Sequence, residues 1–278
     1  MAYGETVVSA GKVYELGFFS PGKSSARYLG IWYKKDVEKI VAWVANTNTP
    51  NSDSSGFLSI NATGSRVLRM NSTNHIVWSS NASTSLQNPV AVLLESGNLV
   101  VKDGNDNNPD NFLWQSFDYP CDTLLPGMKI GKNLVTGMEW FLSSWKSIDD
   151  PAPGDFKFQV DPHGFPQLFT RKGPEIMYRA GSWNGLRWTG TPLLQPNPVY
   201  THDFMSNEKE VSYTTGIRNT SVPSRFAVTP SAMLALCNKY AMCGSYASCN
   251  INKSPAVCEC LEGFTPKSPG EWEIFRLD

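Results

Sequence analysis

The sequence predicts an all-β protein, and three observations carry that prediction. Short runs of β-branched and aromatic residues recur along the chain, bounded by Gly, Pro, Asn or Ser, the pattern of strands and turns. A convincing amphipathic helix is missing before the last fifth of the sequence. A tryptophan also closes an apolar run at nearly constant spacing, at Trp43, Trp78 and Trp114. The 278 residues leave room for about two domains.

Taken in order, Val13 to Phe19, Tyr28 to Tyr33 and Ile40 to Ala45 read as the first strands. Arg66 to Met70, Ile76 to Trp78, Val90 to Leu94, Leu99 to Lys102 and Phe112 to Trp114 continue the texture. The three tryptophans each close a hairpin whose turn is polar: Lys34 to Lys39, Asn71 to Asn74 and Asp103 to Asn111. Three equivalent sheet units, each too small to bury its own apolar face, are expected to share one core around a pseudo-threefold axis. Three repeats are too few for a propeller. The turn-rich stretch Asp118 to Gly127 marks the end of a first domain, placed at 1–118. A second β-rich region follows at 119–236, including Phe156 to Val160 and Val211 to Thr214, with Ser231 to Leu236 as a short helix-favouring run. A third small module spans 237–278.

Composition excludes whole classes of function. Lys plus Arg (24) against Asp plus Glu (25) gives a net charge of -1, so the basic footprint of a nucleic-acid binder is missing. Charged residues are only 18% of the chain, so Asn, Ser, Thr and Gly must carry solvation. The apolar runs are strand-sized, well short of the roughly 18 residues of a spanning helix, so no membrane span is expected here. Met1 to Thr6 has neither a basic nor an apolar leader region, and a signal peptide is not expected there.

Catalytic patterns are also missing, so the expectation is a non-enzyme without metal or cofactor. His75, His163 and His202 are scattered, and Gly181-Ser182-Trp183-Asn184-Gly185 places its Ser one position early for a nucleophile elbow. The pairs Glu208/Glu210 and Asp149/Asp150 read as solvated surface rather than acid and base. The sharpest local signal is Cys237-x5-Cys243-x5-Cys249-x8-Cys258-x-Cys260. Zinc sites favour tighter Cys pairs, often with His, so disulfides fit these gaps better. Disulfides in turn imply an oxidising compartment. Five sequons, at Asn61, Asn71, Asn81, Asn219 and Asn252, agree with it, where about three would arise by chance. Glycan on the first three would coat one side of the first domain.

Several motifs resemble the plant S-domain family, that is, S-locus glycoproteins and the ectodomains of G-type lectin S-receptor-like serine/threonine kinases. Glu15 to Gly22, Tyr28 to Tyr33, Val41 to Asn46 and Leu113 to Pro120 are similar to its bulb-type lectin domain. Asp122 to Lys129, Ser144 to Ser147 and Tyr178 to Gly185 are similar to its S-locus glycoprotein domain, and Cys243 to Tyr246 with Cys258 to Phe264 to its EGF-like module. The resemblance implies a β-prism of three four-stranded sheets. It also implies extracellular recognition of a protein, peptide or glycan ligand, of the type involved in pollen recognition, self-incompatibility or defence, with a homodimer or co-receptor as further partner. The EGF-like pairing would join Cys237 to Cys249 and Cys243 to Cys258, leaving Cys260 and Cys121 unpaired.

The chain departs from the family in four places. Mannose-binding relatives use a Gln-x-Asp-x-Asn-x-Val-x-Tyr strand, whereas the third repeat reads Leu94-x-Ser96-x-Asn98-x-Val100-x-Lys102 and the second Asn61-x-Thr63-x-Ser65-x-Val67-x-Arg69. Asn98 is thus the remnant of a degenerate sugar site, and affinity falls steeply when polar partners are removed. Relatives also carry roughly thirty more residues before Cys237, a sixth Cys in the EGF-like module, and a signal peptide with the first residues of the lectin domain. The sequence reads as a truncated or mis-spliced member. Its alternatives are a secreted mannose-type lectin acting alone or an inactive fragment.

Overall fold

The computed structural model describes residues 1–35, 39–51, 56–60, 66–70, 76–79, 88–106, 108, 110–191, 199–218, 224–229, 247–250, 257–260, 263 and 265, with backbone alone for 66–70, 76–79, 247–250 and 257–260. Among these residues every regular element is a strand except one turn of 3-10 helix at Ser116–Asp118.

Three small antiparallel sheets form the first part. Strands β1 (Val7–Val8), β2 (Tyr14–Phe19), β3 (Tyr28–Tyr33) and β4 (Val41–Val44) pair in that order. Strands β5 (Gly56–Ile60), β6 (Arg66–Met70) and β7 (Ile76–Ser79) make the second sheet, and β8 (Pro89–Leu93), β9 (Leu99–Asp103) and β10 (Trp114–Gln115) the third. The repeat is visible in the register. Trp43 pairs with Ile31, Trp78 with Leu68 and Trp114 with Val101, so each tryptophan sits opposite the apolar centre of its neighbour strand.

The resemblance implied three four-stranded sheets. Only the first has four described strands. Beside β5 of the second, Ala2 bridges Phe57, and Met1 exchanges hydrogen bonds with Leu58 through the Leu58 amide (2.8 Å) and its own nitrogen (3.1 Å).

Burial follows the strand sequences. All six residues of β3 are buried, because its β-branched and aromatic side chains pack on both faces of the pleat. Leu29 and Ile31 are inaccessible, while Trp32, also buried, packs edge-on to Phe19 at 6.4 Å and donates its indole N–H to Glu15 at 3.1 Å. Trp43 and Trp114 meet edge to face at 6.0 Å, both buried. Each fully buried aromatic of this kind contributes about 2–3 kcal/mol of transfer free energy.

The second part holds β11 (Thr123–Leu124), β12 (Lys129–Asn133), β13 (Glu139–Trp140), β14 (Leu142–Ser147), β15 (Asp150–Asp161), β16 (Gln167–Lys172), β17 (Glu175–Ser182), β18 (Tyr200–Ser206), β19 (Glu210–Ile217) and β20 (Phe226–Ala227). They form two four-stranded sheets, ordered β13-β12-β19-β18 and β14-β15-β16-β17, and the pair β11-β20. Gly131 lets β12 lie against β19: at φ +156° a Cβ there would come within 2.1 Å of the Val211 carbonyl oxygen. Last comes the hairpin β21 (Ala247–Asn250) with β22 (Val257–Cys260). The helix-favouring run Ser231 to Leu236 lies outside the described residues.

One hydrophobic core runs through both parts, from Tyr14, Ile31 and Trp43 to Leu142, Phe158 and Tyr213. Polar contacts stitch the same seam. The Trp43 indole N–H donates to the Tyr119 carbonyl (2.9 Å), the Tyr33 hydroxyl to the Ser224 carbonyl (3.0 Å) and the Cys121 thiol to the Val44 carbonyl (3.3 Å). At the other side the Lys23 amide donates to Asp149 at 2.9 Å, next to Phe19 stacked on Trp145 at 6.5 Å.

Candidate functional site

The first candidate is the strand that retains part of a sugar-binding pattern. Alternate residues of a strand share a face, so Asn98, Val100 and Lys102 line up along β9. That face is not available to a ligand at its centre: Val100 is inaccessible and Asn98 is 5% exposed. The Asn98 amide is also engaged inside the chain through both of its polar atoms. Its Nδ2 donates to Gln115 Oε1 (2.9 Å), and its Oδ1 accepts from Ser116 Oγ (3.1 Å) and the Phe117 amide (3.3 Å). Ser116 Oγ in turn accepts from the Leu99 amide at 2.9 Å.

The first repeat contains the same device. Asn46 Oδ1 accepts from the Leu29 amide at 2.9 Å, and Nδ2 donates to the Arg27 and Thr49 carbonyls at 3.3 and 2.9 Å. In both sheets a buried side chain just beyond the closing tryptophan satisfies the backbone at the start of the central strand. Asn98 therefore acts as a polar pin of the fold.

A second candidate lies in the other part of the molecule and has no precursor in the motif search. A cleft of about 190 Å³ opens between the β12–β13 hairpin and the end of β15. Lys132 and Glu139 sit opposite each other in the hairpin register and form an ion pair at 2.7 Å. Asp161 Oδ1 accepts from the His163 amide at 3.1 Å and lies 2.6 Å from its Nδ1. Partial burial pushes the Asp161 carboxyl up, but the hydrogen bonds from the His163 ring and backbone outweigh it and hold the group below its ordinary value. Gln159, half-buried Phe141 and buried Trp140 complete the lining. These residues span 131–163 in sequence and meet only because β13 runs on into β14, which pairs with β15 through Leu142 and Phe158.

The remaining residues singled out in the sequence are placed as follows. Asn61, Asn71, Asn81, Asn219 and Asn252, together with Cys237 and Cys243, lie outside the described residues. In the last hairpin Cys249 lies opposite Cys258, and Cys260 opposite Ala247. Cys121 carries a free thiol, which donates to the Val44 carbonyl (3.3 Å) and accepts from the Val44 amide (3.4 Å); burial pushes its pKa up to about 12. Glu210 is engaged by Lys129 at 2.7 Å, and Asp149 by the Lys23 amide. Among the described residues no group of three or more His, Cys, Asp or Glu could hold a metal ion, and no helix is long and apolar enough to cross a membrane.

Comparison with known proteins agrees with this architecture. The family model of the D-mannose binding lectin matches residues 40–146, and that of the S-locus glycoprotein domain matches 178–236 and 228–268. The chain is 42% identical to the receptor-like serine/threonine-protein kinase SD1-8 of Arabidopsis thaliana, over 97% of this chain and 34% of that protein. It is 40% identical to the S-locus-specific glycoprotein S6 of Brassica oleracea, over 96% of this chain and 66% of the relative. An S-locus-specific glycoprotein of Brassica oleracea var. alboglabra is 37% identical, with 97% and 67% covered. The chain thus spans about a third of the kinase and about two thirds of the glycoproteins. Monomeric monocot mannose-binding lectins from Gastrodia elata align at 16% identity and a TM-score of 0.26, covering 41% of this chain and 91% of that one. With paired all-β sheets, both domain models and these identities over nearly its whole length, the chain belongs to the S-domain family of S-locus glycoproteins and G-type lectin S-receptor-like kinases.

Proposed function

We propose that this chain is a non-catalytic, extracellular ligand-recognition region, either of an S-domain receptor-like kinase or of a soluble S-locus-glycoprotein-like protein. Its role would be of the kind that pollen recognition, self-incompatibility or defence signalling requires. One observation carries the reading. The β9 face that would have to hold a mannose is internal, with Asn98 hydrogen-bonded to its own chain and Val100 inaccessible, so the prism serves as a scaffold rather than as the sugar site of a lectin.

Under this reading 1–118 is the lectin-type unit, 119–236 the S-locus glycoprotein unit and 237–278 an EGF-like module bonded Cys237 to Cys249 and Cys243 to Cys258. The five sequons would carry glycan, and the ligand, a protein, peptide or glycan, would meet a face that those glycans leave open.

Secretion of the chain behind a heterologous leader tests the proposal. It should yield a glycoprotein whose mass falls on enzymatic deglycosylation and which shows no phosphotransfer. Exchanged for the matching region of a related receptor kinase, it should change which extracellular extract triggers autophosphorylation. Retention on a mannan column at micromolar affinity, with no effect of the exchange, would sink the reading in favour of a free-standing lectin.

A further inference from the structure

The cleft between the β12–β13 hairpin and the end of β15 has the chemistry of a small polar binding site. Its polar groups form two contacts, the Lys132–Glu139 ion pair and Asp161 against the His163 ring and amide, so each carboxylate already has a donor beside it. In each contact one carboxylate oxygen is engaged, Oε1 of Glu139 and Oδ1 of Asp161. A carboxylate accepts through two oxygens and an ammonium donates three times, so both groups keep capacity beyond their mutual contact. Lys132 holds Glu139 in place and the His163 ring and amide hold Asp161, and hydroxyls that donate to such fixed carboxylates form the stronger, charge-assisted class of hydrogen bond. Gln159 adds one group that both donates and accepts, and Phe141 adds an apolar wall.

Size narrows the ligand further. The cleft has a volume of about 190 Å³. That is room for one small ring and falls short of the roughly 300 Å³ at which pockets for drug-sized ligands begin. The matching ligand donates and accepts at several vicinal positions and has an apolar ring face. We propose that this cleft binds a single pyranose residue, on the part of the molecule remote in sequence from the closed β9 strand.

The site goes beyond the recognition role proposed above, and the two fail separately: that role on receptor exchange, this site on sugar titration. Isotope-labelled chain is titrated with the methyl glycosides of glucose, mannose and galactose while backbone amide shifts are followed. The expected result is saturable shifts at Lys132, Glu139 and 159–163 for at least one sugar. Glu139→Gln and Asp161→Asn should each weaken binding at least tenfold while the melting temperature is kept, and Lys102→Ala, on the β9 face, should leave it unchanged. Three results overturn the proposal: no shift with any glycoside, shifts unaltered by both cleft variants, or loss of binding in Lys102→Ala. Shifts at these residues produced by a polypeptide while no sugar produces them would reassign the cleft to a protein partner.

Discussion

At Asn98 a side chain suited to sugar hydroxyls holds together β9, β10 and the 3-10 turn instead. Its truncation to Ala would leave Gln115 Oε1, the Ser116 hydroxyl and the Phe117 amide short of a partner in a buried place, a cost of about 1–3 kcal/mol. For a chain of this size the Asn98→Ala melting temperature should drop by roughly 2–10 °C in a thermal scan; an unchanged melt would show that the amide is dispensable. Cys121 gives a second residue-scale test. Its thiol is clamped on both sides by the Val44 peptide and raised to about 12, so at neutral pH the reactive thiolate is nearly absent. Iodoacetamide should label Cys121 only after denaturant unfolds the seam. Labelling of the native protein at the rate of a free thiol would contradict the burial.

At the scale of elements, the connection from the 3-10 turn into β11 is electrostatically unusual because it takes two carboxyls, of Asp118 and Asp122, partly out of water. Burial raises Asp122 from its ordinary 3.8 to about 6, against the opposing hydrogen bond from Thr123 and the charge of Arg225. Burial also raises Asp118, against a hydrogen bond from Gln115 and the charge of Lys129, with Glu210 adding to the rise. A carboxyl whose pKa is higher folded than unfolded binds its proton more tightly in the native state. Its contribution therefore improves as pH falls through about 6 and is complete below 3.8. His202 acts in the opposite sense. Burial lowers its pKa below 6.5, where Nδ1 meets the Tyr213 hydroxyl at 2.8 Å and Nε2 is enclosed without a partner. Its protonation on unfolding costs stability as pH falls below about 6.5. Urea midpoints between pH 7 and 5 should separate the two. Asp122→Asn should remove the part of the profile that rises toward acid, and His202→Asn the part that falls. A profile unchanged by Asp122→Asn would mean that the carboxyl is solvated.

For the whole molecule, the continuous core and the seam of hydrogen bonds from Trp43, Tyr33 and Cys121 couple the two β-rich parts. Independent domains joined by a linker would melt separately. Here the described residues should unfold in one cooperative calorimetric transition, with the calorimetric and van't Hoff enthalpies in agreement. Two resolved endotherms would show that the seam contributes little. The same coupling predicts that 1–118 expressed alone exposes the Trp43 and Trp114 faces that Tyr119 covers in the intact chain, through a stacked ring at 5.8 Å and a carbonyl acceptor.

Much of the architecture was legible without coordinates. Strand chemistry and the tryptophan spacing determined the three hairpins of the first part, because short β-branched and aromatic runs and a recurring large core residue are local properties of the chain. The Gln-to-Leu, Asp-to-Ser and Tyr-to-Lys departures around Asn98 likewise showed a weakened sugar strand. The last hairpin's strands, the cleft and the bridge of Met1 and Ala2 to β5 were not legible, since each depends on which segments meet. Nothing in Lys132, Glu139, Asp161 and His163 marks them in sequence; the pairing of β14 with β15 brings them together. The sequence alone determined the fold class, the repeat and the family. Only the tertiary structure decided that Asn98 is a pin, that the two parts share one core, and where a polar cleft opens. Packing of distant strands sets burial and the partners of polar groups, and local composition cannot encode those contacts.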